Sequence, residues 1–189
     1  MAIAENNNKK YAVLIPWVKT AEGDALLLEV RSEHVPQPGE VCFPGGQMEP
    51  GETAAETAVR ETCEELGICP SSVEVLSELG MDTMGNGRKI FPVTARIDPE
   101  SLDSLTISDC EVADVFLLPA EWLEKNPPAY YDFANMADEE LPAKLLFYLS
   151  RYADYRYRGD TDYYEYEGHA IWGLTARLIK QAAALRPQL

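Results

Sequence analysis

Apolar residues near the start of the chain fall into two runs of strand length, residues 11–18 (YAVLIPWV) and 25–31 (ALLLEVR). The polar segment TAEGD between them is rich in turn residues, so the pair predicts a β-hairpin. Residues 32–51 then contain eight prolines and glycines, and only residues 41–43 are apolar over the length of a short strand. This density of turn residues is typical of a functional loop rather than a linker.

Residues 54–66 carry the clearest helical pattern in the chain. Thr53 and Glu56 form a T-x-x-E capping box, and Gly67 followed by Pro70 predicts the end of the helix. At about 100° per residue, the helix divides into an apolar stripe and an opposite acidic face. The predicted core stripe is Ala55, Val59, Thr62 and Leu66, and the predicted acidic face is Glu61, Glu64 and Glu65.

The remaining chain alternates predicted strands and helices. Strands are expected at residues 73–81 and 89–96, on either side of the turn signal MGNGR, and at 112–118 before a short helix at 121–124. Residues 128–166 are rich in tyrosine, and the pattern of residues 170–185 predicts a final helix. The order of elements indicates an α/β fold, and the length of 189 residues favours a single domain spanning 1–189 with a core at about 11–185.

Composition and charge limit the function. A hydrophobic fraction of 46% with 25% charged residues is typical of a protein that folds in water, and no apolar run is long enough to span a membrane. The 16 basic residues against 32 acidic ones give a formal net charge of −16. Such a charge opposes nucleic acids and anionic membranes as partners, and a phosphorylated substrate would need a cation as intermediary.

The cysteines and the N-terminus favour the cytoplasm. The four cysteines form no CxxC pair and have no histidine at the spacing of a zinc site, so reduced thiols are expected, although the sequence leaves a disulfide open. The first ten residues, MAIAENNNKK, do not resemble a signal peptide.

The glutamates of the predicted helix suggest a cation site. Glu61, Glu64 and Glu65 lie at i, i+3 and i+4, where like charges repel, and a plain solvated face is the alternative interpretation. However, the loop FPGGQMEPGE leads directly into this helix, and its glycines let backbone carbonyls approach a ligand. Oxygen donors of this kind suit Mg²⁺ or Mn²⁺. Arg60 can pair with Glu56 or Glu64 and hold the acidic face in place.

Residues 46–68 (GQMEPGETAAETAVRETCEELGI) closely resemble the Nudix box. The pattern of that box is a glycine, five residues, a glutamate, seven residues and then R-E-hydrophobic-x-E-E-x-G-hydrophobic, and every charged and glycine position matches. Thr62 is the one departure, standing where the family prefers an aliphatic residue. The resemblance implies an α/β/α sandwich around a mixed sheet, and a Mg²⁺- or Mn²⁺-dependent hydrolase that cleaves a pyrophosphate joined to another group.

The same resemblance implies roles for individual residues. The implied metal ligands are Gly46, Glu61, Glu64 and Glu65. The implied catalytic residues are Glu52, Arg60, Glu61 and Glu64. Glu64 is the first candidate for the general base, and Glu52 and Arg60 would hold the loop against the helix. A downstream carboxylate, Asp109 or Glu111, is the alternative base or additional ligand.

The segment upstream of the box indicates a substrate. Residues 27–46 (LLEVRSEHVPQPGEVCFPGG) resemble the second motif of coenzyme A pyrophosphatases, LLTxRS followed by a basic residue, a glycine and FPGG. Glu29 replaces the threonine, the segment between Ser32 and Gly39 is one residue short, and Val35 or Pro36 stands where the motif has a basic residue. Residues 163–179 resemble the closing part of the same subfamily. The implied products are 3′,5′-ADP and 4′-phosphopantetheine or its acylated form, and the implied substrate-binding residues are Arg31, Ser32, Phe43 and Gly45.

Two other functions stay open at this point. The enzyme could act on another nucleoside diphosphate derivative, such as ADP-ribose or a dinucleotide, or the chain could be a Nudix-fold module that binds a ligand without turning it over. The expected partner is therefore a small pyrophosphate, neither a nucleic acid nor a membrane, and a homodimer is left open.

Overall fold

The structure is a computed structural model that describes residues 9–83, 88–133, 135–152 and 159–186. Most of the predicted turn MGNGR, at 84–87, and residues 153–158 of the tyrosine-rich segment lie outside these ranges. The strands are β1 (Lys10–Thr20), β2 (Gly23–Arg31), β3 (Val41–Cys42), β4 (Gly45–Gln47), β5 (Val73–Glu78), β6 (Asp82–Thr83), β7 (Lys89–Ile97), β8 (Val112–Pro119), β9 (Ala129–Asp132), β10 (Asp160–Tyr166) and β11 (His169–Trp172). The helices are α1 (Ala54–Leu66), α2 (Ala120–Lys125), α3 (Ala143–Leu149) and α4 (Gly173–Ala184).

The main sheet is mixed and is built around the predicted hairpin. Strands β1 and β2 pair antiparallel, whereas β1 and β7 pair parallel along their lengths. Among the described residues the strand order is β3-β2-β1-β7-β5, with β4 added to β1, β6 to β7 and β8 to β2. The short strand β4 is a feature that the sequence pattern did not predict, because its residues, Gly45–Gln47, have no apolar run.

Side-chain alternation along β1 and β2 divides the core into two layers. Ile15 and Trp17 of β1 pack with Ile179 of α4 on one face of the sheet. Leu14 of β1 and Leu27 of β2 pack with residues of α1 on the other face. Successive strand residues point to opposite faces, so the sheet is covered on both sides. The predicted α/β/α sandwich around a mixed sheet is confirmed.

Helix α1 has the predicted bounds but a different orientation. Thr53 and Glu56 form the predicted capping box, and Gly67 caps the C-terminus in the left-handed conformation. Thr62 and Leu66 of the predicted core stripe are buried, and Ala55 and Val59 are partly buried and pack against the core. The prediction of the acidic face was wrong at Glu65, which is buried. The buried residues are Ala54, Thr57, Ala58, Thr62, Glu65 and Leu66. Ala54 and Ala58 are small enough to let the helix lie close to the sheet, and this rotation carries Glu65 under the helix.

Thr62 shows how the departure from the Nudix pattern is accommodated. Its side chain is fully buried, as the core stripe predicts, and its hydroxyl donates to the carbonyl of Ala58 at 2.7 Å. A buried hydroxyl bonded to the carbonyl four residues earlier carries little desolvation cost.

The tyrosine-rich segment forms a second, smaller sheet of strand order β11-β10-β9. Tyr163 and Tyr164 are buried in it, while Tyr130 is exposed. The predicted final helix at 170–185 was wrong at its start, because Ala170, Ile171 and Trp172 belong to β11 and pair with β10. The longest described helix, α1, has 13 residues, and no helix in the described ranges could cross a membrane.

Candidate active site

The loop between β3 and α1 passes very close to the sheet and the helix. Gly45 pairs with Val13 of β1 and has a φ of +152°, and a Cβ there would overlap the backbone of Ala12 and Val13. A Cβ on the next residue, Gly46, would overlap the carboxylate of Glu61. Only glycine permits both approaches, so the backbone of β4 lies directly beside the acidic side of α1.

Arg60 connects the loop to the helix through four partners. Its Nε and Nη2 donate to the two carboxylate oxygens of Glu52 at 2.7 and 3.0 Å. Its Nη1 donates to Glu61 at 2.8 Å and to Glu64 at 3.1 Å, and Nη2 also donates to the carbonyl of Gln47 at 3.3 Å. The hydrogen bonds from Arg60 lower the pKa of Glu52 to about 2, with help from the backbone of Glu49.

Of the two sequence-based candidates for pairing with Arg60, Glu64 is the one in contact. Glu56 instead accepts from the backbone and hydroxyl of Thr53 and completes the cap. A guanidinium fork that joins three carboxylates fixes their spacing.

The three glutamates of the predicted acidic face have different surroundings. Glu65 is only 7% exposed, and its Oε2 accepts from the backbone N–H of Gly45 at 2.8 Å. Burial raises the pKa of Glu65 to about 9, with a further contribution from the charge of Glu29. Burial also raises the pKa of Glu61, against the hydrogen bond from Arg60. The side chain of Glu64 is 58% exposed.

Glu29 is a site residue that the sequence analysis missed. It lies in β2, is only 1% exposed, and its Oε1 accepts from the thiol of Cys42 at 3.1 Å. Burial raises its pKa to about 7, and the charge of Glu111 adds to the shift. The available signal was a single acid inside the apolar strand ALLLEVR, at the position where the coenzyme A motif has threonine.

Arg31 lies on the same face of β2 as Glu29. Its Nε donates to the carbonyl of Pro36 at 2.7 Å, and its Nη1 lies 3.7 Å from Cys42 Sγ. Its positive charge lowers the pKa of Glu29, although less than burial raises it. Arg31 is therefore the sheet-side cation of the site, with two of its three nitrogens already engaged.

The loop before β8 brings in a fourth carboxylate. Ser32 is buried, and its hydroxyl and N–H donate to the carbonyls of Cys110 and Glu111 at 2.7 and 2.9 Å. Glu111 is exposed, and its charge acts on Glu29, Glu61 and Glu65. Of the two downstream candidates, the structure thus brings Glu111 to the site, whereas Asp109 is exposed in the preceding turn. We refer to Glu29, Glu61, Glu65 and Glu111 as the carboxylate cluster.

The four predicted substrate-binding residues lie at different depths. Gly45 contacts Glu65, and Arg31 is partly buried beside the cluster. Ser32 anchors the loop before β8, and Phe43 is 4% exposed in the core layer that faces α4. Their contact with substrate stays a prediction.

The donor set fits a divalent cation. It consists of carboxylate oxygens and backbone carbonyls, which Mg²⁺ and Mn²⁺ prefer, and the lack of a side chain on Gly46 lets the Glu61 carboxylate lie directly against the backbone of β4. In the described ranges, no three acidic, histidine or cysteine side chains are already grouped to hold a metal. Glu61 and Glu64 contact Arg60, so a cation would have to replace Arg60 as the partner of their carboxylate oxygens.

Comparisons with known proteins agree with the fold and the motif. The NUDIX domain model matches residues 8–138. Nudix hydrolase 3 of Caenorhabditis elegans is 33% identical over 181 residues, which cover 94% of this chain and 73% of that protein. The uncharacterized Nudix hydrolase NudL of Escherichia fergusonii is 33% identical over 184 residues, covering 94% and 82%.

Two further proteins are informative in different ways. The peroxisomal coenzyme A diphosphatase NUDT7 of Mus musculus is 35% identical over 127 residues, 66% of this chain and 52% of that protein. A crystal structure of a C. elegans Ap4A hydrolase binary complex has a TM-score of 0.51 at 22% identity, covering 60% of this chain and 83% of that one, which shows a shared fold. With the family model covering well over half of its length, the chain belongs to the Nudix family of hydrolases.

Proposed function

We propose that the chain is a Mg²⁺- or Mn²⁺-dependent pyrophosphatase that hydrolyses coenzyme A or acyl-CoA to 3′,5′-ADP and 4′-phosphopantetheine or its acylated form. The observation that carries this proposal is the complete Nudix box folded as one unit, with Gly46 against Glu61 and Arg60 joining the loop to the helix. The similarity to the mouse coenzyme A diphosphatase supports the choice of substrate.

The carbonyl of Gly46 and the carboxylates of Glu61, Glu64 and Glu65 would hold the cation. Such a cation neutralises developing charge on the phosphates and acidifies a water molecule. Glu65 is fixed by the N–H of Gly45, and Glu61 by Arg60, so two of the four ligands are oriented by the fold before substrate binds.

Glu64 is the proposed general base. Among Glu61, Glu64 and Glu65 it is the most exposed, so a water molecule can reach it, and Arg60 orients its carboxylate. A base must lie within hydrogen-bond reach of the proton it removes, and Nη1 of Arg60, which donates to both carboxylates, holds Glu64 next to Glu61. Glu111 is a proposed additional carboxylate of the site, acting as ligand or alternative base.

Two other functions are less well supported. The likeness to the Ap4A hydrolase concerns the fold alone and gives no argument for a dinucleotide substrate. A binding module without catalysis would have no need to keep Glu61, Glu64 and Glu65 on one helix, where they repel one another. The four free cysteines are in keeping with a reducing compartment, and we extend the proposal to the cytoplasm.

A substrate panel tests the proposal. Coenzyme A, acetyl-CoA, ADP-ribose and Ap4A would each be incubated with the wild type in Mg²⁺, in Mn²⁺ and in chelator, and products would be quantified by chromatography. We expect metal-dependent cleavage of the coenzyme A compounds with the highest kcat/KM. Faster cleavage of ADP-ribose or Ap4A would show that coenzyme A is not the preferred substrate. No cleavage of any compound would favour a binding module.

A further inference from the structure

Glu29 is a buried carboxylate with one oxygen that has no hydrogen-bond partner within the described part of the chain. It is 1% exposed, and only its Oε1 is engaged, by the thiol of Cys42. Strand alternation places it on the same face of β2 as Leu27, which packs under α1. A buried carboxylate normally has its charge paired and its oxygens hydrogen-bonded.

The surroundings of Glu29 add negative charge rather than removing it. Glu65 of α1 is itself 7% exposed, and Leu27, on the same face of β2 as Glu29, packs in one core layer with Ala58 and Leu66 of that helix. Glu111 adds a third negative charge. Arg31 is the nearby cation, but its Nε is engaged by the carbonyl of Pro36 and its Nη1 points to Cys42.

We propose that Glu29 is a further ligand of the divalent cation, supplying its free Oε2 from the sheet side while Glu65 binds from the helix side. This inference rests on the proposed function, since it concerns the same cation. A hard cation between the two carboxylates satisfies the free oxygen and neutralises the repulsion in one step. The Nudix box therefore supplies only part of the ligand set, and β2 supplies the rest.

A purely structural role for Glu29 makes a different prediction. If the side chain served only to accept from Cys42, then Glu29→Gln would keep that hydrogen bond and leave cation binding unchanged. If Glu29 is a ligand, Glu29→Gln weakens cation binding and also removes a repulsive charge from the cation-free protein.

The test is a calorimetric titration of chelator-treated protein with MnCl₂ without substrate, accompanied by thermal unfolding. We expect Glu29→Gln to raise the Kd for Mn²⁺ at least about tenfold, because substitutions around a bound metal typically weaken its affinity by that factor or more. In chelator, the Tm of Glu29→Gln should equal or exceed that of the wild type. Mn²⁺ should raise the Tm of Glu29→Gln by less than it raises the Tm of the wild type. Glu40→Gln is the matched control. Glu40 is also buried, but its carboxylate accepts from the hydroxyl of Tyr152, so the Kd of this variant for Mn²⁺ should stay within about twofold of the wild-type value.

Glu29→Met, of similar volume, repeats the titration if the Gln variant does not fold, and the same loss is expected. A Kd for Mn²⁺ that is unchanged in Glu29→Gln, or in Glu29→Met, overturns the inference and leaves the proposed function standing. No Mn²⁺ binding by the wild type overturns it as well. Mn²⁺ binding that depends on Glu29, in a protein that cleaves none of the four substrates, would overturn the proposed function and keep the cation ligand.

Discussion

Gly45→Ala is expected to disturb the active site and the fold together. Gly45 has a φ of +152°, in a region that residues with a Cβ rarely adopt. Its added methyl group would also meet the backbone of Ala12 and Val13 in the central strand β1, which cannot move without separating the sheet. The same residue donates its N–H to Glu65.

The cost can be worked out from these contacts. Backbone strain of this kind costs about 1–3 kcal/mol. Moving β4 away from β1 also weakens the hydrogen bond to the buried carboxyl of Glu65, which its raised pKa keeps protonated near neutral pH, and such a bond contributes about 0.5–1.5 kcal/mol. The sum is about 1.5–4.5 kcal/mol, and at about 2–4 °C per kcal/mol for a chain of this size the Tm should fall by at least about 3 °C.

Thermal unfolding by circular dichroism measures this fall, with Gly51→Ala as the matched control. Gly51 also has a positive φ, of +97°, but a Cβ there would meet no atom within 4 Å. It carries the strain without the collision, so its loss should be about 1–2 kcal/mol, or roughly 2–8 °C, and smaller than that of Gly45→Ala. Equal Tm values for the two variants would refute the claim that β4 is held against β1 and Glu65. Turnover should fall much further in Gly45→Ala than in Gly51→Ala.

Four other outcomes are expected. Glu64→Gln should lower kcat at least about 100-fold with an unchanged circular dichroism spectrum, and near-normal turnover would remove Glu64 as the base. Millimolar Mg²⁺ should raise the wild-type Tm because it binds the native site, but hardly that of the Glu61→Gln, Glu65→Gln double variant; equal shifts would contradict the site. In chelator, the wild type should lose stability relative to Glu65→Gln as pH rises from about 4.5 towards 9, since folding raises the pKa of Glu65 to about 9 and the unfolded chain releases this proton first; a constant difference would be the contrary result. Coenzyme A should be preferred over dephospho-coenzyme A by less than about tenfold in kcat/KM, because Arg31 is already engaged; a 100-fold preference would show a basic pocket elsewhere.

The sequence predicted the elements that rest on local signals. The start and end of α1 follow from residues at its own termini, namely the capping residues Thr53 and Glu56 and the terminating Gly67. The structure has the predicted bounds. The hairpin of β1 and β2 was likewise predictable, because two apolar runs enclose one turn. These features depend on residues a few positions apart.

Features that depend on distant contacts were not predictable. Alanines lie on more than one side of α1, so periodicity could not tell which of them face the sheet, and the burial of Glu65 followed from that rotation. Ala170 to Trp172 have a helical composition but become a strand because β10 offers them a partner. Glu29 joins the carboxylate cluster only because β2 passes beneath α1, which no local pattern records.

The products of coenzyme A turnover test the central proposal most directly. The wild type would be incubated with coenzyme A and Mg²⁺ or Mn²⁺ in water labelled with oxygen-18, with a chelator control, and the products identified by mass spectrometry. The proposal predicts 3′,5′-ADP and 4′-phosphopantetheine, one of them carrying a single labelled oxygen, and no products in chelator. Intact coenzyme A after incubation with an enzyme that cleaves another nucleoside diphosphate derivative would contradict it.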